Sequence, residues 1–236
     1  MVRGKSTLSK LIAGLVKPSK GEVNIDGLKT SNKKNFFEIR KQVGIVFQNP
    51  ENQIIFNNVY DDLAFALNNL NVGAGLVPAQ NQRIKNALSQ VKMLEYINKN
   101  TYELSLGQKQ RITIAGVLAV GPKYIIFDEP TAMLDSEGKE DVYKIVRELK
   151  KQGYTIIYVT NVADEMLIGD KIVVIEEGEI VNIFEKESIL NKAEKLIKSG
   201  FKLPTLVEMV LKLKELGINI KLENWTTEEF AQKIKS

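Results

Sequence analysis

The sequence contains no cysteine and no histidine. Without cysteine there are no disulfides or thiolate sites, and without histidine the chain lacks the commonest metal ligand and the usual proton shuttle at neutral pH. Any general base in this protein must therefore be a carboxylate.

Long apolar runs are also absent. No stretch approaches the ~18 residues that a membrane-spanning helix needs, and no basic and then apolar segment opens the chain as an export signal would. We expect a globular chain that neither spans a bilayer nor is exported, so that membrane association would need a partner. With 236 residues, of which 44% are hydrophobic and 26% charged, it can bury one sizeable core and a smaller appendage.

The net charge of +4 comes largely from lysine. Basic residues are interleaved with acids and few aromatic residues accompany them, which favours a solvated helical surface over nucleic-acid binding. A weak attraction to anionic lipid headgroups stays open.

The apolar run at residues 124–127 ends in the acidic pair Asp128 and Glu129. Such a run is typical of a buried parallel strand, and open α/β sheets bind their ligands where the strands end. At that edge one carboxylate can hold a magnesium shell while the other polarises a water molecule.

A short polar segment, Gly4, Lys5, Ser6 and Thr7, stands before leucine or isoleucine residues at positions 8, 11, 12 and 15. This spacing predicts an amphipathic helix that ends at positions 18–21, with its amino terminus facing phosphate. We expect Lys5 to contact the β- and γ-phosphates, Ser6 to bind magnesium and Thr7 to lie near the α-phosphate.

Ser105 and Gln108 have the spacing of a capping box. Ser105 would cap a helix whose first amides are unpaired and carry positive potential. A helix start of this kind favours an anionic ligand.

The remaining pattern predicts an α/β fold. Strands are expected at residues 22–25, 43–47, 124–127, 155–159 and 171–175, the first of them closed by a turn at Asp26 and Gly27. The alternation of strands and helices from residue 124 onward predicts a parallel sheet covered by helices, with Gln48 at its ligand edge. A helix marked by positions 84, 88, 91 and 94 and a loop at 72–80 belong to a helical insertion. The pattern turns helical after residue 181, with a stripe at 206, 210 and 213 ended by Gly217, and Thr226 with Glu229 as a possible capping box.

These segments resemble, in order and spacing, the nucleotide-binding subunits of ABC transporters, with LSLGQ at residues 104–108 where that family has LSGGQ. Residues 47–53 (FQNPENQ), 61–65 (DDLAF) and 131–135 (TAMLD) are similar to the ATPases of energy-coupling factor (ECF) transporters. That subfamily powers the uptake of vitamins and of cobalt or nickel ions.

The resemblance implies a P-loop NTPase fold of the ABC type with a parallel sheet core. The ATPase domain would span residues 1–185 with its helical subdomain at about 50–110, and a helical extension would follow at 186–236. That extension either helps to pair two ATPase subunits or caps sheet edges. Implied partners are a second ABC ATPase, an ECF transmembrane subunit and a substrate-binding membrane subunit, with no nucleic acid. The chain would lie peripherally on the cytoplasmic face of the cell membrane.

The resemblance also implies the ligands, ATP and Mg2+, and the residues that contact them. Asp128 would order Mg2+, Glu129 would be the general base, and Gln48 would link the metal and the attacking water to the membrane subunit. Ser105 and Gly107 would contact the γ-phosphate held by the opposite subunit. The remaining expected contacts of that interface are Gln108 and Asp135, although Asp135 also suits a helix start.

The sequence departs from the family at three places. Only residues 1–3 precede Gly4, where the family has a strand and further glycines, so the chain looks shorter by roughly 35 to 40 residues at its start. Leu106 replaces a glycine, and a branched side chain opposes close approach of the backbone to phosphate. Asn161 stands where the family has a histidine that contacts the γ-phosphate.

Two other functions stay open. A degenerate nucleotide-binding subunit with a structural or regulatory role beside an active homologue is favoured by Leu106, Asn161 and the short phosphate loop. A soluble ABC ATPase acting on nucleic acid or ribosomes is weaker, because no long coiled-coil insertion or second cassette is present.

Overall fold

The computed structural model describes residues 4–73 and 77–235. Residues Lys5–Val159 form one packed unit, and the chain from Thr160 onward forms a second that also includes Gly4. Among the described residues, no helix has the length and apolar character that crossing a membrane requires.

The first unit is built around a three-stranded parallel sheet whose strands lie side by side in chain order. Its elements are α1 (Lys5–Ile12), β1 (Asn24–Ile25), β2 (Leu28–Lys29), α2 (Phe36–Gln42), β3 (Val43–Val46), α3 (Val59–Asn69), α4 (Val77–Gln90), α5 (Leu106–Val120), β4 (Tyr124–Asp128), α6 (Ser136–Lys151) and β5 (Thr155–Val159). The central strand is β4, whose Ile125, Ile126 and Phe127 are completely buried, as its continuous apolar run predicts.

The helix after the Gly4–Thr7 segment is shorter than predicted. It ends at Ile12, because Gly14 adopts a left-handed φ of 66° and the Leu15 N–H donates back to the Lys10 carbonyl, which closes the helix with a glycine cap. Leu15 therefore lies beyond the helix, and both Leu8 and Leu15 are exposed. The expected end at residues 18–21 is wrong, and the apolar face is reduced to Leu11 and Ile12, which are half-buried.

The helical insertion consists of α3, α4 and the first part of α5, with Leu63, Ile84 and Leu88 fully buried between them. Helix α4 ends at Gln90 because Lys92 is left-handed and the Met93 N–H bonds to the Leu88 carbonyl. Two details differ from prediction: α4 already begins at Val77, inside the expected loop at 72–80, and positions 91 and 94 lie beyond its end. Residues 74–76 of that loop lie outside the described residues.

The other strands of the first unit agree with prediction except in length. The expected strand at 22–25 is reduced to β1, which pairs antiparallel with β2 around Asp26 and Gly27. Strand β3 stops at Val46, one residue before the predicted end, so Gln48 follows it in a loop.

The second unit contains β6 (Lys171–Glu176), β7 (Glu179–Glu185), α7 (Ile189–Lys198), α8 (Thr205–Glu215) and α9 (Thr227–Lys235). The predicted strand at 171–175 is present, but it pairs antiparallel with β7 through a tight turn with positive φ at Glu177 and Gly178. It is therefore not part of the parallel sheet, and the helical pattern expected after residue 181 begins only after β7. The buried core joins Val174 and Phe184 to Val207, Val210 and Trp225.

The start of α9 forms half of the predicted capping box. The Thr226 hydroxyl accepts a hydrogen bond from the Glu229 N–H at 3.2 Å. The Glu229 carboxylate instead accepts from the backbone N–H groups of Glu223, Asn224 and Trp225 at 2.7–3.0 Å. Desolvation raises its pKa, but these three bonds outweigh it and lower the pKa below the usual range.

Candidate active site

The amino-terminal turn of α1 meets the end of β4. The Ser6 hydroxyl donates a hydrogen bond to Asp128 Oδ1 at 3.1 Å, joining residues 122 positions apart. Asp128 is the last residue of β4 and only 5% exposed. The sequence therefore brings together the two oxygen groups that were expected to share magnesium.

Burial at this point disfavours the charged forms of Asp128 and Lys5. Burial raises the pKa of Asp128, although the Ser6 hydrogen bond and the nearby Lys10 and Lys5 ammonium groups oppose the rise. Burial likewise lowers the pKa of Lys5, against the attraction of Glu129 and Asp128. Lysine ammonium groups thus lie near the carboxylates of Asp128 and Glu129 at a helix amino terminus, an arrangement suited to an anion accompanied by a metal ion.

Glu129 turns the chain immediately after β4. It has a left-handed φ of 51°, and its N–H donates to the Val159 carbonyl of β5 at 2.9 Å. A non-glycine residue in this region of backbone space is strained by ~1–3 kcal/mol, and such strain is concentrated at functional sites. The turn places Glu129 beside Asp128 at the edge of the sheet.

Gln48 reaches the same edge from the neighbouring strand. Strands β3 and β4 run parallel with Val46 opposite Phe127, so Gln48, two residues past Val46, follows at the level of Asp128 and Glu129. Its side chain is exposed.

Two glutamines that the sequence analysis did not single out hold the residue before Gln48. Gln53 Oε1 accepts from the Phe47 N–H, and Gln110 Nε2 donates to the Phe47 carbonyl, both at 3.1 Å. Gln110 lies on the helix that begins with the LSLGQ segment, and the glutamine-rich FQNPENQ run was the only sequence signal for Gln53.

The predicted cap of α5 is present in full. Ser105 Oγ accepts from the Gln108 N–H at 3.3 Å, and Gln108 Oε1 accepts from the Ser105 N–H at 2.9 Å. Gln108 is anchored further by a bond from its Nε2 to the Tyr96 hydroxyl. The first amides of α5, beginning at Leu106, thus form a fixed positive helix end.

A second helix end lies beside the first. Asp135 caps α6 by accepting from the Gly138 N–H at 2.8 Å, which is the helix-start role that the sequence analysis gave as its alternative to a contact at the dimer interface. A Cβ at Gly107 would lie 3.5 Å from the Gly138 Cα, which shows how closely the two helices approach. They border a cavity of about 380 Å³ that also receives Leu106 and Arg111.

Three more residues were expected to contact the nucleotide. Thr7 is exposed on α1. Gly4 has a φ of 120° that suits only glycine, and a Cβ there would lie 3.2 Å from the Gly178 Cα within the second unit. Asn161 also belongs to the second unit, where it is exposed beside a turn in which the Thr160 hydroxyl accepts from the Val162 N–H and donates to Glu165.

A basic, hydroxyl-bearing helix start against two carboxylates at the end of a buried parallel strand defines a P-loop NTPase. Comparison with known proteins narrows this class. The family model described as ABC transporter matches residues 3–132.

Individual relatives agree. The energy-coupling factor transporter ATP-binding protein EcfA1 of Clostridium perfringens is 41% identical over 221 residues, which cover 93% of this chain and 78% of that protein. The cobalt import ATP-binding protein CbiO of Syntrophus aciditrophicus is 37% identical over 232 residues, which cover 98% of this chain and 81% of that protein.

Solved structures give the same result. CbiO1 from Clostridium perfringens, part of the ABC transporter complex cbiONQ, superposes with a TM-score of 0.71 at 34% identity, covering 87% of this chain and 82% of that one. An ATP-binding cassette solved as a dimer in a post-hydrolysis state, bound to ADP and Pi, gives a TM-score of 0.68 at 30% identity, covering 77% and 80%. The chain belongs to the ABC transporter family, as an ATP-binding subunit of the ECF type whose ATP hydrolysis is coupled to transport.

Proposed function

We propose that this chain binds and hydrolyses ATP with Mg2+ as the ATPase subunit of an ECF-type importer for a vitamin or a transition-metal ion. The observation that carries the proposal is the Ser6–Asp128 hydrogen bond, which joins the phosphate-binding helix start to the acidic end of β4. The names of the relatives, which include energy-coupling factor and cobalt import subunits, support the choice of cargo.

The residues present fit Mg2+. Ser6 Oγ and Asp128 Oδ1 are hard oxygen ligands that lie close together. No cluster of three or more acidic side chains that could hold a metal occurs among residues 4–73 and 77–235, as expected for an ion that takes its other ligands from phosphate and water. When bound, Mg2+ supplies positive charge that neutralises the phosphate oxygens.

The protein's own groups have separate roles in hydrolysis. Lys5 and the first amides of α1 bind the phosphates, and Glu129 orients a water molecule and accepts its proton. The water oxygen forms a bond to the γ-phosphorus as the bond to the bridging oxygen breaks, releasing ADP and inorganic phosphate. Gln48 would contact the water and the metal from the loop that follows β3.

The second helix end requires a partner ATPase. We assign the cavity at the starts of α5 and α6 to the γ-phosphate of a nucleotide held by the other subunit, with contacts from Ser105, Gly107, Gln108 and Asp135. The dimeric ADP-bound and Pi-bound relative supports such pairing. The partner is either a second copy or a homologous ATPase, and the extension at residues 186–236 contributes to the pairing.

The surface next to Gln48 suits a membrane subunit. Ile55 and Tyr102 are 65% and 69% exposed, and a second cavity of about 160 Å³ lies between Glu51, Ile54 and Tyr102. We assign this surface to a cytoplasmic segment of the transmembrane subunit, which would hold the chain at the inner face of the membrane. A separate substrate-binding membrane subunit would select the cargo, and no role for nucleic acid is proposed.

A second candidate, a weakly active subunit beside an active homologue, is favoured by Leu106 at the α5 cavity. Steady-state ATP hydrolysis distinguishes the two. Under the first proposal the chain hydrolyses ATP, Lys5→Ala weakens nucleotide binding, and Glu129→Gln abolishes turnover while binding persists. Turnover that survives Glu129→Gln contradicts the catalytic assignment, and turnover supplied only by a partner's glutamate favours the second candidate.

A further inference from the structure

The peptide group that leads into Gln48 is held on both sides by amide side chains. Gln53 bridges the end of β3, because its Nε2 donates to the Ile45 carbonyl and its Oε1 accepts from the Phe47 N–H, both at 3.1 Å. The Phe47 carbonyl accepts from Gln110 Nε2 at 3.1 Å. Both polar groups of Phe47 are therefore bonded to side chains from outside the sheet.

Gln110 joins α5 to the end of β3 at the cost of burying a polar side chain. Its side chain is completely buried, and its Oε1 has no hydrogen-bond partner among the described residues. A buried amide oxygen without a partner carries a desolvation cost that leucine or methionine at the same place would not. What glutamine alone provides is the N–H donor to the Phe47 carbonyl.

That donor comes from α5, the helix whose amino terminus carries Ser105. The same helix is joined to the Gln48 segment at two further points. Lys109 Nζ lies 2.6 Å from Glu51 Oε1, and Val117 packs so closely on Gly44 of β3 that a Cβ there would come within 3.0 Å of it. Helix α5 and the end of β3 are thus held as one body.

We propose that Gln110, together with Gln53, is a positioning residue for Gln48, and that Gln110 ties the orientation of Gln48 to the amino end of α5. The physical reason is that the Phe47 carbonyl and the Gln48 N–H belong to one planar peptide group. Fixing the carbonyl direction fixes the direction in which Gln48 leaves the strand. The proposal rests on the role assigned to Gln48 under the proposed function.

A double-mutant cycle tests it in the full chain. Gln110→Met keeps the volume and removes the donor, and Gln48→Ala removes the positioned group. We expect Gln110→Met to lower kcat about 10-fold with the KM for ATP changed less than about 2-fold, as loss of one oriented contact predicts. In the Gln48→Ala background, Gln110→Met should cause no further loss. Gln82→Met is the matched control, because Gln82 is an exposed glutamine of α4 whose side-chain amide donates within the same helix, to Asn86 Oδ1.

A second readout does not depend on turnover. In a Glu129→Gln background, binding of a fluorescent ATP analogue is titrated with Mg2+, and Gln110→Met should raise the half-saturating Mg2+ concentration about threefold or more. Circular dichroism shows whether Gln110→Met is folded. If it is not, Gln53→Met replaces it as the test variant and should produce both effects, because Gln53 also bonds to Phe47.

The outcomes separate the two levels of argument. A large loss with Gln48→Ala and an equal, additive loss with Gln110→Met would show that Gln110 only ties α5 to the sheet, which overturns this inference and leaves the proposed function intact. Full turnover in Gln48→Ala overturns the role of Gln48 itself, and the inference with it. A Gln82→Met variant as impaired as Gln110→Met also contradicts the inference.

Discussion

Gly44→Ala should destabilise the first unit, although alanine is the better strand residue. Its new methyl group would lie within 3.0 Å of Val117 Cγ1 and 3.1 Å from Pro122 Cγ. Ordinary contacts between carbon atoms lie at ~3.5–4.0 Å, so strand and helix must separate by half an ångström or more. Overpacking of this kind costs ~1–3 kcal/mol, partly offset by the ~0.5–1 kcal/mol that replacing glycine contributes through the unfolded chain. We expect a net loss of ~1–2 kcal/mol.

Gly116→Ala is the matched control. Gly116 lies in α5 next to Val117, has helical backbone, and would place its Cβ with nothing within 4 Å. The same substitution should therefore raise the free energy of unfolding by ~0.5–1 kcal/mol.

Urea unfolding followed by circular dichroism measures both effects. Fluorescence is less suitable because the only tryptophan, Trp225, is buried in the second unit. Val117→Ala removes the methyl group that clashes, so Gly44→Ala in that background should cost at least ~1 kcal/mol less than in the parent. If Gly44→Ala proves as stabilising as Gly116→Ala, the close packing of β3 on α5 is refuted, and with it one support for treating them as one body.

Four further outcomes are expected. Asp128→Asn should abolish hydrolysis yet raise the thermal unfolding midpoint at neutral pH. Because the pKa of Asp128 is raised in the folded state, its protonated form stabilises the fold below the ordinary pKa of 3.8, and this stabilisation is lost as pH rises through the folded-state pKa. Unfolding midpoints measured over a pH series should therefore show the advantage of asparagine increasing as pH rises through that pKa. Ser105→Ala should cost ~1 kcal/mol in urea unfolding by removing the α5 cap, and an unchanged midpoint would contradict the capping geometry. Asn161→His should raise kcat more than it tightens ATP binding, since an imidazole is a stronger donor to developing γ-phosphate charge, and equal kinetics would place Asn161 away from that phosphate. Leu106→Gly in a Glu129→Gln background should increase the ATP-dependent dimer fraction in gel filtration, and no change would exclude obstruction by the leucine side chain.

Residues with local signals were predictable from the sequence. The apolar run ending at Asp128, the helix start after Gly4 and the Ser105 capping box each depend on residues adjacent in the chain, and the structure contains all three. The register of β3 with β4 follows from the parallel arrangement and brings Gln48 to the same edge.

Three features were missed, and in the first two the deciding glycine lies next to the element in the chain. Helix α1 ends early because Gly14 caps it, although the apolar spacing continues to Leu15. The strand at residue 171 has the same composition as the strands of the parallel sheet, and only its tight turn at Gly178 shows that it forms a hairpin. Gln110 lies 63 positions from its partner Phe47, in a helix that otherwise reads as apolar core, so no local pattern could assign it.

Leu106 weighs less against activity than its sequence position suggests. It is the first residue of α5, where the backbone N–H has no partner within the helix, so a side chain there removes no donor from the helix end. The residues that fix that end, Ser105 and Gln108, keep both bonds of the capping box. The effect of leucine is therefore steric, because its side chain limits how closely a partner subunit can approach. Loss of the cap would instead weaken the positive potential at the start of α5. For this reason the α5 cavity favours an active subunit over a weakly active one, and the effect of Leu106 should appear first in the ATP-dependent dimer fraction.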